Sequence, residues 1–250
     1  MASEPFRTAP FAGLSPRAFG KLMTPPRREG GDAPGRGRPW KLSLEDRVPL
    51  VAAYWHTDSA LRRLVPPFGA QKSTADRVID PRGPKLALAP RRRFAKDAVL
   101  IVDGTLVPTR DHQVVEQPKN YRCPTNHQVV IDADSRLVVV VGRPLPGNRN
   151  ECRARAGSGV QQAAGNPTTI ADSLHLGTGL IMPHRRRKGE ELPGWKQAHD
   201  KSRKRVRARV EHAFARMKTW KILHDRRLGG NGVHHATHGV ARLYDLALTG

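Results

Sequence analysis

Residues 97–104, DAVLIVDG, decide the fold. Five consecutive apolar residues, three of them β-branched, lie between two aspartates and run into a glycine. A short unbroken apolar run bounded by turn formers predicts a strand covered on both faces, since a half-exposed strand would alternate polar and apolar positions. Asp103 falls where this strand is expected to end and turn at Gly104, so its carboxylate is expected to project at the sheet edge.

Similar runs follow. HQVVIDAD (127–134) and RLVVVVGRPL (136–145) are rich in valine and isoleucine, and TTIADS (168–173) and GLIMPH (179–184) repeat the pattern after a polar, alanine-containing segment that ends at Asn166. Two helical stretches come last, from about 203 to 220 and over HATHGVARLYDLAL (235–248). Strand, strand, strand, helix, strand, strand, helix predicts an α/β fold with a mixed sheet flanked by helices.

Upstream, the pattern is helical. SLEDRVPLVAAYW (43–55) has an acidic first turn after Ser43, SALRRLVPPFG (59–69) follows, and KSTADRVID (72–80) begins beyond Gly69. Helix, helix, tight turn, helix is the layout of a small all-α helix-turn-helix domain, expected at 41–92, which would present Gln71, Lys72, Ser73 and Arg77 to DNA. A plain three-helix packing module fits the same residues. TPPRREGGDAPGRGRP (24–39) reads as a linker that closes an N-terminal arm at 1–40.

Lysine and arginine number 44 against 22 aspartates and glutamates, a net charge of +22, so the natural partner is a polyanion. Two isolated cysteines exclude a disulfide framework, and no apolar run is long enough to span a bilayer, which predicts a soluble, cytoplasmic protein. No phosphate-binding loop of the G-x-x-x-x-G-K-[ST] type is present, and Cys123 lacks the neighbours of a nucleophilic triad.

Three acids could do chemistry. Asp103 and Asp172 sit at the ends of strands, and Glu211 lies on the shoulder of the apolar stripe Val206, Val210, Ala213, Phe214 and Met217, where it is expected half-buried at the helix–sheet boundary. Strand-end carboxylates suit a hard cation such as Mg²⁺, and three acids beside a phosphodiester require cations between them. Asp132 and Asp134 form a competing pair, expected to be hairpin-turn residues. Two basic runs, His184 to Lys188 and Lys201 to Arg209, flank the Glu211 helix, so Arg185, Arg186, Arg187, Lys204 and Arg207 are candidate phosphate contacts.

The stretches VLIVDGTLVPTRDHQ (99–113), KNYRCPTNHQVVIDAD (119–134), VVVVGRPLPGNRNE (138–151), TTIAD (168–172) followed by GTGL (177–180), and RVRARVEHAFARMKTWKIL (205–223) closely resemble DDE transposases of bacterial insertion sequences, in the IS5-like group. The resemblance extends upstream through GRPWKLSLEDRV (37–48) to FAGLSPRAFGKL (11–22). It implies an RNase H-like catalytic domain at 96–250, with Asp103, Asp172 and Glu211 as the catalytic acids holding two Mg²⁺ or Mn²⁺ ions. It further implies double-stranded DNA as substrate, both transposon ends and target, a homo-oligomer in the active complex, and a nucleoid-associated location. A descendant that binds DNA without cutting it stays open, because Leu174 stands where the family has a small residue and prolines interrupt the helix-turn-helix.

Overall fold

The structure, a computed structural model, describes residues 13–28, 40–82, 94, 95, 97–109, 124–148, 151–172, 179–186, 189–225, 228 and 231–250. The chain divides into two units, one formed by 1–88 with 217–250 and the other by 89–216. The last helix thus joins the N-terminal helices rather than the sheet-bearing unit, where the sequence pattern places it.

In the second unit the apolar runs form strands β1 (Val99–Pro108), β2 (Pro124–Asp132), β3 (Val138–Val141), the two-residue β4 (Leu145–Pro146) and β5 (Thr168–Ile170). They make a mixed sheet of order β3-β2-β1-β5, with β4 on β2. The β1–β2 and β2–β3 pairs are antiparallel, whereas β1 and β5 run parallel, and an isolated parallel bridge from Ile170 to Ile181 continues the sheet.

Side chains alternate between the faces of β1. One face carries Leu100 and Val102, which pack with Val130, Val139, Val140, Val160, Ala164 and Ala171. Two short helices, α5 (Glu151–Gly157) and α6 (Val160–Ala164), cover this face. Burying each of these valines and leucines contributes about 1.5–3 kcal/mol, so this dry layer is what holds the strands in register. The other face of β1 carries Ile101, Asp103 and Thr105. On this side the long helix α7 (Gly194–Met217) presents Arg207 to Asp103.

β1 does not end at Gly104 as expected but continues to Pro108, pairing with β2 along its whole length. The apolar run stops at Asp103 although the backbone does not turn, and beyond it Gly104, Thr105 and Leu106 stand opposite the polar Gln128, His127 and Asn126. The expected turn at the β2–β3 hairpin is present. Asp132 Oδ1 accepts from the backbone N–H groups of Asp134 and Ser135 and from the Ser135 hydroxyl, which accounts for that acidic pair.

The first unit begins with α1 (Pro16–Arg28), which runs through Pro25 and Pro26 into the stretch expected to be a linker. Its Leu22, Met23 and Pro26 are buried, and Arg27 pairs with Glu45 at 2.6 Å. Residues 29–39 lie outside the described residues.

Then come α2 (Leu44–Thr57), α3 (Leu61–Leu64), a single 3₁₀ turn (Pro66–Phe68) and α4 (Lys72–Arg82). Ser43 caps α2 by accepting the Asp46 N–H at 3.1 Å, as its sequence signature predicts. The helix expected over 59–69 shrinks to four residues plus the 3₁₀ turn, because Pro66 and Pro67 cannot donate to the α-helical ladder. Gly69 makes the tight turn with a left-handed φ of 58°.

The closing helix α8 (Gly232–Thr249) has buried Val233, Ala236, Val240 and Leu243, and Gly239 lies flat against the Trp55 ring. A methyl group on Gly239 would overlap ring atoms Cζ3 and Cη2 of Trp55. Alanine would gain about 0.5–1 kcal/mol of helix propensity. Overpacking at a buried tryptophan costs more, about 1–3 kcal/mol, so Gly239→Ala is expected to lower the thermal midpoint of the first unit. A midpoint that stays level or rises in a thermal melt would show that the α2–α8 contact is not tight.

Candidate active site

Parallel pairing of β1 with β5 sets the geometry. The last aligned pair is Ile101 with Ile170, and two residues further along each strand stand Asp103 and Asp172. On β1 a two-residue step returns Asp103 to the side of Ile101, and Asp172, just beyond the end of β5, lies near enough for its charge to act on the Asp103 carboxyl. The backbone at that level is held by the Ala171 N–H, which donates to the Ile181 carbonyl at 3.0 Å.

Asp103 is largely buried, its side chain 17% exposed. Burial pushes its carboxyl pKa up, and the neighbouring charge of Asp172 pushes the same way. Against these act the Arg207 guanidinium, whose Nη2 is 3.4 Å from Oδ2, and the Gly104 N–H, which donates to Oδ1 at 2.9 Å. Desolvation wins, and the net direction is upward. Asp103 thus has a like charge, Asp172, and an opposite charge, Arg207, as close neighbours. Arg207 supplies only part of its donors: its Nε is buried without a hydrogen-bond partner.

Glu211 is exposed instead of half-buried, one helical turn beyond Arg207. Helix α7 meets the strands through long arginines: Arg203 Nη1 donates to the Met182 carbonyl at 2.8 Å, Arg207 reaches Asp103, and Arg209 Nη1 donates to the Ala133 carbonyl. The reach of these side chains sets the spacing, and a shorter glutamate on the same helix stays in solvent. Among the described residues no three His, Cys, Asp or Glu side chains gather as a metal-binding group. The structure therefore brings together two of the three expected acids.

The basic residues divide in the same way. Lys204 and Arg185 are exposed, Arg186 Nε donates to the Glu190 carbonyl at 3.0 Å, and Arg187 lies outside the described residues. Arg207, expected as a phosphate contact, is engaged by Asp103.

In the first unit Lys72, Ser73 and Arg77 lie exposed on α4, and Gln71 is exposed just before it. Lys72 pairs with Asp76 at 2.7 Å, and the Arg77 guanidinium lies 5.0 Å from the Trp40 ring centroid, as does that of Arg47.

Two clusters carried no sequence signal. Trp195, 58% exposed, makes edge contacts with His184 and His199, with Lys196 over its ring. Glu151 lies against β1 and β2, hydrogen-bonded by Asn126 and Gln128. The first could be anticipated only as a Trp and two His scattered over 184–199, and the second only as an acid four residues after the Pro-Gly turn.

The site thus joins two neighbouring aspartates at the edge of a mixed sheet to an arginine of a basic helix. The family described as Transposase DDE domain matches residues 94–246, the span that holds Asp103, Asp172 and Glu211. A protein of Streptomyces albus G, assigned as the transposase for insertion sequence element IS112, is 67% identical over 250 residues, covering 100% of this chain and 98% of that protein. The chain belongs to the DDE transposases, and its function is DNA transposition. No helix among the described residues is long and apolar enough to cross a membrane.

The raised pKa of Asp103 has a measurable sign. A carboxyl whose folded pKa lies above its unfolded value, about 3.9, favours the fold when protonated and opposes it once ionised. Metal-free Asp103→Asn is therefore expected to melt above wild type at pH 7. The gap should close as pH falls through the raised pKa towards the ordinary aspartate range. A variant that melts below wild type at pH 7 would mean that the Arg207 pair outweighs desolvation.

Proposed function

We propose that this transposase cuts the ends of its element and joins them to target DNA with divalent cations held by Asp103, Asp172 and Glu211. The observation that carries the reading is the nearness of Asp172 to the buried Asp103 carboxylate, at the end of the β1–β5 parallel pair. The donor set fits the group: carboxylate oxygens are the ligands Mg²⁺ and Mn²⁺ take, usually one or two with the remainder from water and phosphate. When bound, such ions supply charge neutralisation at the phosphate and activation of the attacking oxygen.

The chain's own residues do the rest. Gly104 N–H and the strand backbone orient Asp103, while Arg207 pairs with Asp103 and would turn to a DNA phosphate once another cation takes its place. Glu211, on the same face of α7 one turn away, is available to a site completed by DNA and ions. Sheet order β3-β2-β1-β5 with a further parallel bridge supports an RNase H-like arrangement. The exposed start of α4 supports recognition of the terminal inverted repeats by a helix-turn-helix. The IS5-like grouping rests on the residue stretches 99–113 and 205–223, and a paired complex on the need to hold two ends at once.

Asp103→Asn, Asp172→Asn and Glu211→Gln are each expected to abolish Mg²⁺-dependent nicking of a labelled inverted-repeat end while retaining its binding in a mobility-shift assay. Normal nicking by any of them removes that residue from the site. Alanine at Arg185, Arg186 and Lys204 is expected to weaken binding to all sequences alike, lowering the slope of log K against log salt by about one for each phosphate left without its cation. An unchanged slope would take those residues off the DNA track.

A further inference from the structure

We infer that Glu151 is a positioning residue: it clamps Gly104 from the opposite face of β1 and thereby fixes the peptide N–H that orients Asp103. The inference rests on the reading of Asp103 as a metal ligand.

Gly104 lies inside a ten-residue strand and outside the left-handed region, so no turn requires it. A glycine in a strand interior costs about 0.5–1 kcal/mol and marks a close approach. Here the approach is by Glu151: a Cβ on Gly104 would stand 2.5 Å from Oε2 and 2.7 Å from Oε1 of that glutamate, and 2.7 Å from Gln128 Nε2. Both carboxylate oxygens are held by side chains of β2. Asn126 Nδ2 donates to Oε1 at 3.0 Å, Gln128 Nε2 donates to Oε2, and the same Nε2 lies 3.2 Å from Asn126 Oδ1. Gln128 is the strand partner of Gly104, and both amide side chains are buried.

Glu151 therefore sits with neutral partners in a chain of net charge +22, and among the described residues no basic group pairs with it. Its value lies in geometry more than in charge. It faces the side opposite Asp103, because adjacent strand residues point apart, and so acts on that carboxylate only through the backbone between them. That backbone carries the donor in question, the Gly104 N–H 2.9 Å from Asp103 Oδ1. Removing the carboxylate strips two buried amides of their acceptor and uncovers Gly104. Loss of such an outer-shell partner ordinarily lowers metal affinity about 10- to 100-fold.

The test is Mn²⁺ titration of the full-length protein without DNA, followed by the paramagnetic resonance of free Mn²⁺, with thermal melts of every variant and nicking measured in parallel. Glu151→Ala is expected to weaken Mn²⁺ binding at least about tenfold. Glu151→Gln is expected to stay within about threefold of wild type, since its carbonyl still accepts from Asn126 and the Gln128 amide can turn its unpartnered Oε1 towards the new NH₂.

Should Glu151→Ala fail to fold, Gly104→Ala decides: its methyl displaces the same carboxylate and should weaken Mn²⁺ binding as strongly. The Gly104→Ala, Glu151→Gln pair should then lose no more than Gly104→Ala alone. The inference is overturned if Glu151→Gln falls as far as Glu151→Ala, since charge would then be the agent. It is also overturned if both Glu151→Ala and Gly104→Ala bind Mn²⁺ like wild type. Asp103→Asn separates the two levels: if it keeps wild-type Mn²⁺ affinity, the metal-site reading itself fails, whereas loss there beside unaffected Glu151 and Gly104 variants removes the positioning role alone.

Discussion

The burial of Asp103 beside a second carboxylate, Asp172, is the constraint on which the polar face of the second unit is organised. Parallel pairing of β1 and β5 brings Asp103 and Asp172, distant in sequence, close together, and burial of Asp103 removes most of the water that would screen them. Burial and the like charge favour the protonated form of Asp103, and a nearby cation favours the ionised one. The polypeptide offers Arg207 from a helix that carries a long run of lysines and arginines, and its ion pair is half-buried and incompletely hydrogen-bonded.

The sheet gives this polar face its rigidity from behind. Leu100, Val102, Val130 and the small residues of α6 make a dry layer, and that layer ends where Gly104, Asn126, Gln128 and Glu151 begin. Hydrophobic packing fixes strand register over the first half of β1, and hydrogen-bonded amides take over along the second. Asp103 stands at the change between the two regimes. Displacing β1 at that point would disturb both the apolar layer and the amide cluster, so the carboxylate is anchored on two sides.

Much of this is legible in the residues. Unbroken valine and isoleucine runs announce the strands, and the order of runs announces a mixed α/β sheet, because apolar burial on both faces leaves a local signature. Ser43 with its acidic first turn marks the start of α2, and Asp132 with Ser135 marks a hairpin turn, both through short-range hydrogen bonds. Gly104 reads wrongly as a turn because a glycine in sequence does not say whether it serves a bend or a close approach. Only the position of Glu151, 47 residues on, distinguishes them. The exposure of Glu211 is hidden for a related reason: helical periodicity gives the angle of a side chain about its axis but not the distance of that axis from the sheet, which here is set by the reach of arginines. The packing partner of the last helix is not legible because an amphipathic stripe does not name it, and the close contact of Gly239 with Trp55 is a long-range match.

Family membership assigns DNA transposition, and the proposed site for it is the pair of aspartates beside Arg207. The most direct test of that site is the anomalous scattering of crystals of the protein grown with Mn²⁺. A peak in contact with both Asp103 and Asp172, with the Arg207 guanidinium swung away from Asp103, is the expected result. An intact Arg207–Asp103 pair with no peak beside the two aspartates at saturating Mn²⁺ would contradict it.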